Sequence, residues 1–273
     1  NKKSRLLAKK TAAPFILRRT KNQVLTDLPP KIENNIMLEM SPEEKTTYAS
    51  TLVDIKHRIN TAQSRKKYGE ILRGLLKLRQ SCLWQYEQET LNKKSFNISD
   101  ISSTKINFLL SQLEQILEEG HQALVFSQFT TYLDIIQKFI AERHWKISRI
   151  DGTQTTKKRH EQVERFQSNK SSVFLISLRA GGIGLNLTAA SYVFIMDPWW
   201  NPAVENQAID RAHRIGQENT LNVYRPIIKG SVEEKVLKLQ EVKKQLFYDL
   251  LSTDDESFTG KLTMKDFEML LQE

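Results

Sequence analysis

Apolar and polar positions along the chain follow two different rhythms, and the change between them falls near residue 105. Before it the apolar residues recur at helical spacing. Leu52, Ile55 and Ile59 line one side of a segment that opens with Ser41-Pro42-Glu43-Glu44. A Ser cap, a Pro at the first helical position and a Glu three after the cap start a helix, predicted here to run about twenty residues. Ile71, Leu72, Leu75, Leu76, Leu78 and Leu83 predict a second helix over roughly 68–86. Residues 1–40, basic and carrying the stop Leu28-Pro29-Pro30-Lys31, read as an extended connector, and the Asn- and Ser-rich stretch 87–104 as a loop.

From residue 105 helical stretches alternate with short, unbroken apolar runs. Helices are predicted near 105–119, 130–143, 154–167 and 203–213, and strands at 123–126, 146–150, 173–176, 192–196 and around 221–228. Runs without a polar alternation, set between helices, imply a parallel sheet covered on both faces. Ligands of such sheets bind beyond the carboxyl ends of the strands. The informative loops are therefore those after Phe126, Ile150, Ile176 and Met196. A further box, Ser231-Val232-Glu233-Glu234, predicts a helix to about Leu251, and Thr263 to Asp266 a short last one.

Composition bounds the function without naming it. The 273 residues are 39% hydrophobic and 27% charged, and no apolar run reaches the roughly 18 residues of a membrane span. With no signal-peptide pattern and no disulfide to form, an intracellular setting is expected. The first residue is Asn, which suggests a piece of a longer protein. The one cysteine, Cys82, falls among leucines and reads as a core thiol rather than a nucleophile or metal ligand. The formal charge of +9 is unevenly placed: residues 1–31 carry +8, residues 56–79 carry +7, and residues 231–273 carry −4. Such clustering suits a polyanion, nucleic acid first, although solvated helix faces would give the same count.

Three strand-end loops carry candidate chemistry. Ser177-Leu178-Arg179-Ala180-Gly181-Gly182-Ile183-Gly184 is dense enough in glycine for backbone N–H groups to approach a phosphate, or to make a tight turn. It lacks the Gly-Lys-Ser/Thr ending of a phosphate-binding P-loop. Asp197-Pro198-Trp199-Trp200-Asn201-Pro202 sets tandem tryptophans between prolines, which either pack in a core or present a stacking surface to a nucleic-acid strand. The third, Glu205 to Gln217, predicts a helix ending at Gly216 with Arg211 and Arg214 three apart on one face. Two neighbouring guanidiniums need an anion or acids between them. A transferring phosphoryl group and the chain's own Glu205 or Asp210 both qualify. His213 has no partner at ligand spacing and reads as a hydrogen-bonding residue, and no metal site is expected.

Taken in order, these segments resemble the C-terminal motor lobe of the SWI2/SNF2 family, a branch of the superfamily 2 helicase-like ATPases. The resemblance runs from Pro14-Phe15-Ile16-Leu17-Arg18-Arg19-Thr20-Lys21 and Leu28-Pro29-Pro30-Lys31 to about Lys235. It takes in Ala123 to Phe129 (motif IV), Ile150-Asp151-Gly152-Thr153 with Arg159, and Ser177 to Thr188 (motif V). Asp197 with Trp200-Asn201-Pro202 and Gln207 to Gln217 (motif VI) complete it.

The resemblance implies an α/β, RecA-like parallel sheet with helices on both faces. It also implies an interlobe connector at 1–40, a helical protrusion at 41–104, the RecA-like lobe at 105–229 and C-terminal brace helices at 230–273. Arg211 and Arg214 would face the phosphates of ATP, with Gln207 and Asp210 beside them and Gly182 and Gly184 near the nucleotide or the interlobe cleft. Ser127, Gln128, Gly152, Arg159, Ser177 and Trp200 would line a double-stranded DNA path. ATP and Mg²⁺ would be held mainly by an N-terminal lobe, since no P-loop lysine or acidic Mg²⁺ box occurs in these residues. Alone, the chain is then expected to hydrolyse no ATP. Further partners would be DNA-bound proteins and not a membrane, in a nucleus, or in the cytoplasm or nucleoid of a prokaryote. One departure stands out: the His-Pro that usually follows the Cys of Leu78-Arg79-Gln80-Ser81-Cys82 is here Leu83-Trp84. An RNA helicase and a non-catalytic docking module are the other readings, disfavoured by the Asp210-Arg211-Ala212-His213-Arg214 form and by the retention of both arginines.

Overall fold

The computed structural model describes residues 28–84, 101, 103–178, 184–241 and 270. Five strands fall where the unbroken apolar runs put them: β2 (Ala123–Ser127), β3 (Ile147–Ile150), β4 (Val173–Ser177), β5 (Tyr192–Ile195) and β6 (Leu221–Ile228). A sixth, β1 (Lys31–Leu38), was read from sequence as part of the connector. It pairs with β6 in parallel along its whole length, from Lys31 beside Leu221 to Leu38 beside Ile228. Its exposed Ile32 and Met37, set among Glu33, Asn34 and Asn35, give no inward-outward alternation to read. The sheet is six-stranded and all parallel, in the order β1-β6-β5-β2-β4-β3.

Residues of the central strands alternate between two cores. Val125, Leu175 and Phe194 pack with the helices α3 (Thr104–Glu118) and α4 (Thr130–Glu142). Leu124, Phe126, Phe174, Ile176, Val193 and Ile195 pack on the other face with Phe166 of α5 (Thr156–Gln167) and with Ala208 and Ile209 of α6 (Pro202–Ile209). Both faces are covered, which is why these strands read as continuous apolar runs.

The helical pair α1 (Pro42–Thr61) and α2 (Ser64–Ser81) builds a third core with the end of β6 and with α7, residues 232–241. The predicted capping box opens α1: Ser41 N–H donates to Glu44 Oε2 at 2.8 Å and Glu44 N–H to Ser41 Oγ at 3.2 Å. Glu44 Oε1 also accepts from Thr104 N at 2.9 Å, so the starts of α1 and α3 share one carboxylate. The box at Ser231 closes differently from the expected pattern. Ser231 Oγ accepts from Glu233 N, and Glu234 reaches back to Gly230 N instead of the Ser231 N–H. Cys82 is buried among apolar side chains, as expected for a core thiol. Leu83 and Trp84, the departure noted in the resemblance, are buried too. Trp84 stacks on Tyr132 with centroids 5.6 Å apart and meets Phe129 edge-on. The expected continuation of α7 to Leu251 and the Thr263 cap lie outside the described residues.

Candidate nucleotide and nucleic-acid interface

Parallel strands bring their carboxyl ends to one edge, so the four loops singled out in the sequence converge there. Ser127 and Ser177 are paired at the ends of β2 and β4, and Leu178 N–H donates to Ser127 O at 3.0 Å. Asp197, directly after Met196, is fully buried, and both its oxygens accept from Gln128 N at 3.2 Å. Burial pushes the Asp197 carboxyl above its ordinary range, while the Arg79 guanidinium and the Ser127 hydroxyl pull it back. At the end of β3, Asp151 Oδ1 accepts from Thr153 N and Oγ1 at 2.9 and 2.6 Å, and Oδ2 from Arg149 Nε at 3.1 Å. Arg159, from the first turn of α5, donates to Asp151 O at 3.2 Å and so folds back over the same loop.

Of the six residues expected along a DNA path, Ser127 and Ser177 turn inward and are buried. Gln128, Arg159 and Trp200 are partly exposed, and Gly152 is exposed with open space where a side chain would stand. The tandem tryptophans are partly packed and partly exposed. Trp199 and Trp200 stack on each other at 3.7 Å, and Trp200 packs partly against the third core while remaining partly exposed.

The segment 184–187, which follows the glycines, and the arginine loop are bonded to each other. The helix predicted to reach Gly216 ends at Ile209, because the chain beyond it finds other partners. Arg211 N–H and Ala212 N–H make tighter turn bonds to Ala208 O and Ile209 O. Arg211 O accepts from Leu187 N at 3.0 Å, and Gln217 Nε2 donates to Ala190 O at 2.8 Å and to Ala212 O at 3.2 Å. Gly216 turns the chain with φ 97°, a conformation that suits a residue without Cβ. Arg214 donates through Nε to Asp210 O at 3.2 Å and through Nη1 to Leu185 O at 3.4 Å, next to Gly184. Arg211 is buried; burial first, then the Arg214 charge, press its pKa down, and Asp210 opposes them. The two cations thus lie close enough to feel each other, on a bent loop and not on one helix face. Gln207 is exposed on α6, Asp210 is partly buried at its end, and Gly184 is exposed. Gly182 lies outside the described residues. His213 Nε2 lies 2.9 Å from Pro29 O, joining the arginine loop to the segment that enters β1.

Sequence reasoning missed the side chains that hold the Met196 to Trp199 segment. Lys105, fully buried, donates to Met196 O at 2.6 Å and to Glu233 Oε1 at 2.7 Å. Glu205 accepts from Trp199 N at 2.7 Å, from Arg225 Nε at 3.0 Å and from Gln240 Nε2 at 2.8 Å, and Gln240 also donates to Trp199 O. Arg79 donates to Pro198 O. The signal was there only as charges inside apolar stretches, with nothing local to say which charge each would meet.

Comparison with known proteins matches residues 104–216 to the helicase conserved C-terminal domain and residues 1–87 to the SNF2-related domain. An uncharacterised ATP-dependent helicase of Mycoplasma genitalium is 38% identical over 268 residues, covering 97% of this chain and 25% of that protein. The chain therefore spans about a quarter of that relative's length. The Sulfolobus solfataricus SWI2/SNF2 ATPase core in complex with double-stranded DNA superposes with a TM-score of 0.69 at 32% identity, covering 96% of this chain and 55% of that one. The C-terminal domain of the same archaeal ATPase gives 0.66 at 28% identity over 88% of this chain and 97% of its own. The two matched domains, the likeness to the archaeal core, and an all-parallel sheet that follows the archaeal C-terminal domain nearly end to end make this chain a member of the SWI2/SNF2 family, of which it carries the C-terminal, RecA-like motor lobe.

Proposed function

We propose that the chain is the arginine-bearing half of an ATP site in a motor that moves along double-stranded DNA. The observation that carries this is the arginine loop: the Arg214 guanidinium is held on Leu185 O, next to Gly184, Arg211 O accepts from Leu187 N, and the two cations are near enough for Arg214 to press the Arg211 pKa down. Each cation raises the cost of the other, and a polyphosphate brought to them by an N-terminal lobe would relieve both. In the reaction, water attacks the γ-phosphorus, the bond from that phosphorus to the bridging oxygen of ADP breaks, and inorganic phosphate leaves. Arginines aimed at the transferring group neutralise its charge, an effect on the order of 10³–10⁵ in rate. ATP hydrolysis of this kind uses Mg²⁺. In this reading the ion is held mainly by the other lobe.

The DNA-facing edge in this reading is Gln128, Gly152, Arg159 and Trp200, with Ser127 and Ser177 shaping the backbone beneath. The basic stretch 56–79 would add phosphate contacts. The relative named as an ATP-dependent helicase and the archaeal core in complex with double-stranded DNA support the two halves of the proposal. The test is Arg214→Ala in the complete two-lobe protein. DNA-stimulated turnover should fall by about 10³ or more, with the DNA concentration for half-maximal stimulation changed less than about threefold. Equal loss of turnover and DNA affinity would make Arg214 a structural residue and sink the reading.

A further inference from the structure

The buried cation Arg79 stands apart from the other charges of the molecule. It belongs to α2, in the helical pair, yet it points into the carboxyl edge of the sheet. Only 2% of it is exposed. Its Nη2 donates to Pro198 O at 2.7 Å and lies 3.6 Å from Asp197 Oδ2. Its guanidinium carbon lies 5.0 Å from the Trp199 ring centroid, 5.5 Å from that of Trp200 and 5.7 Å from that of Phe129. Its Nε makes no hydrogen bond among the described residues. One side chain therefore meets the carbonyl, the carboxylate and the rings of the loop after β5, and through Asp197 it is one bond from Gln128 N.

We infer that Arg79 is a positioning residue for duplex DNA: it fixes the Trp199-Trp200 platform and the Asp197 to Gln128 contact, so that the helical pair sets the DNA affinity of the motor edge. The inference rests on the reading of Gln128 and Trp200 as DNA-facing. A planar guanidinium does three things here that an ammonium does not do together: it hydrogen-bonds a carbonyl beside a carboxylate it pairs with, lies over aromatic rings, and keeps its charge when buried. Met196 O and the Trp199 N–H and carbonyl are held by Lys105, Glu205 and Gln240. Without Arg79 the loop thus stays attached at those points, while the tandem tryptophans and Asp197 lose their common anchor. The defect that tests the inference is therefore in grip on DNA, read in variants that do not leave Asp197 as an unpaired buried charge.

The experiment uses the complete two-lobe protein and short duplex DNA. Arg79→Lys should raise the DNA concentration for half-maximal ATPase stimulation at least about fivefold, with turnover at saturating DNA reduced less than about twofold. Should the lysine variant fold poorly, Arg79→Met with Asp197→Asn removes both buried charges and keeps an acceptor for Gln128 N–H. The same rise is expected from it. An unchanged half-maximal concentration in a well-folded variant overturns the inference, as does a fall in maximal turnover that tracks the loss of thermal stability. Trp200→Ala and Gln128→Ala separate this from the parent reading. If both raise the half-maximal concentration and the Arg79 variants do not, only the role of Arg79 fails. If neither does, the DNA-facing assignment fails and the inference with it.

Discussion

Asp151 shows how a single carboxylate holds a loop that a ligand is proposed to meet. It sits between β3 and the exposed Gly152, bonded to Thr153 and Arg149. Burial alone would push its carboxyl up, but the bonds from the Thr153 hydroxyl and N–H and the charge of Arg149 outweigh that, and the net direction is down. A carboxyl with a depressed folded-state pKa stabilises the native protein above its unfolded value, about 3.9 for Asp. That contribution is lost as pH falls through the lower, folded-state value. Urea midpoints measured from pH 6 downward should therefore decline on acidification below about pH 4. Asp151→Asn should remove part of that decline. A slope identical in the two proteins would show that Asp151 is not linked to folding. Arg214, by contrast, is held by the carbonyls of Asp210 and Leu185, which orient its charge without neutralising it.

At the scale of elements, the contact between α1 and α2 depends on one missing side chain. A Cβ at Gly74, in the middle of α2, would collide with Ile55 Cγ2 on α1. In an isolated helix Gly→Ala is worth about 1 kcal/mol in favour of Ala. Here the overpacking penalty, typically about 1–3 kcal/mol, opposes it, because the obstructing Ile55 is buried in the third core. Gly74→Ala should thus lower stability, by up to about 2 kcal/mol, in chemical denaturation. In an Ile55→Ala background, where the obstructing methyl is gone, the same change should be neutral or favourable. A stabilising Gly74→Ala in the otherwise unchanged protein would mean that the helices part more easily than this packing implies. The separation matters because α2 carries Arg79 into the sheet edge.

For the whole molecule, the loops at the carboxyl edge present cations, glycines and aromatic rings, but no Gly-Lys-Ser/Thr phosphate loop occurs in the 273 residues. The chain by itself is expected to show no ATPase above background, with or without duplex DNA. A polypeptide that joins it to the first lobe of a family member should recover DNA-stimulated turnover. Robust hydrolysis by the chain alone would overturn the division of the ATP site between two lobes.

Much of this architecture was legible before any coordinates. Continuous apolar runs 123–126, 173–176 and 192–195 can be satisfied only by burial on both faces, and local hydrogen-bonding groups such as Ser41 and Glu44 report a helix start within four residues. Those signals are short-range, so sequence by itself determined the parallel sheet, most helix limits and the loops that converge at the site. Tertiary structure alone decided the rest. The strand at 31–38 exists because β6 offers its edge, and α6 stops at Ile209 because Leu187 and Gln217 take the bonds a helix would have made. Arg79, Lys105, Glu205 and Glu233 are buried because each meets a partner up to 128 residues away. Burial of a charge depends on what the folded chain places opposite it, and nothing in the neighbouring residues encodes that.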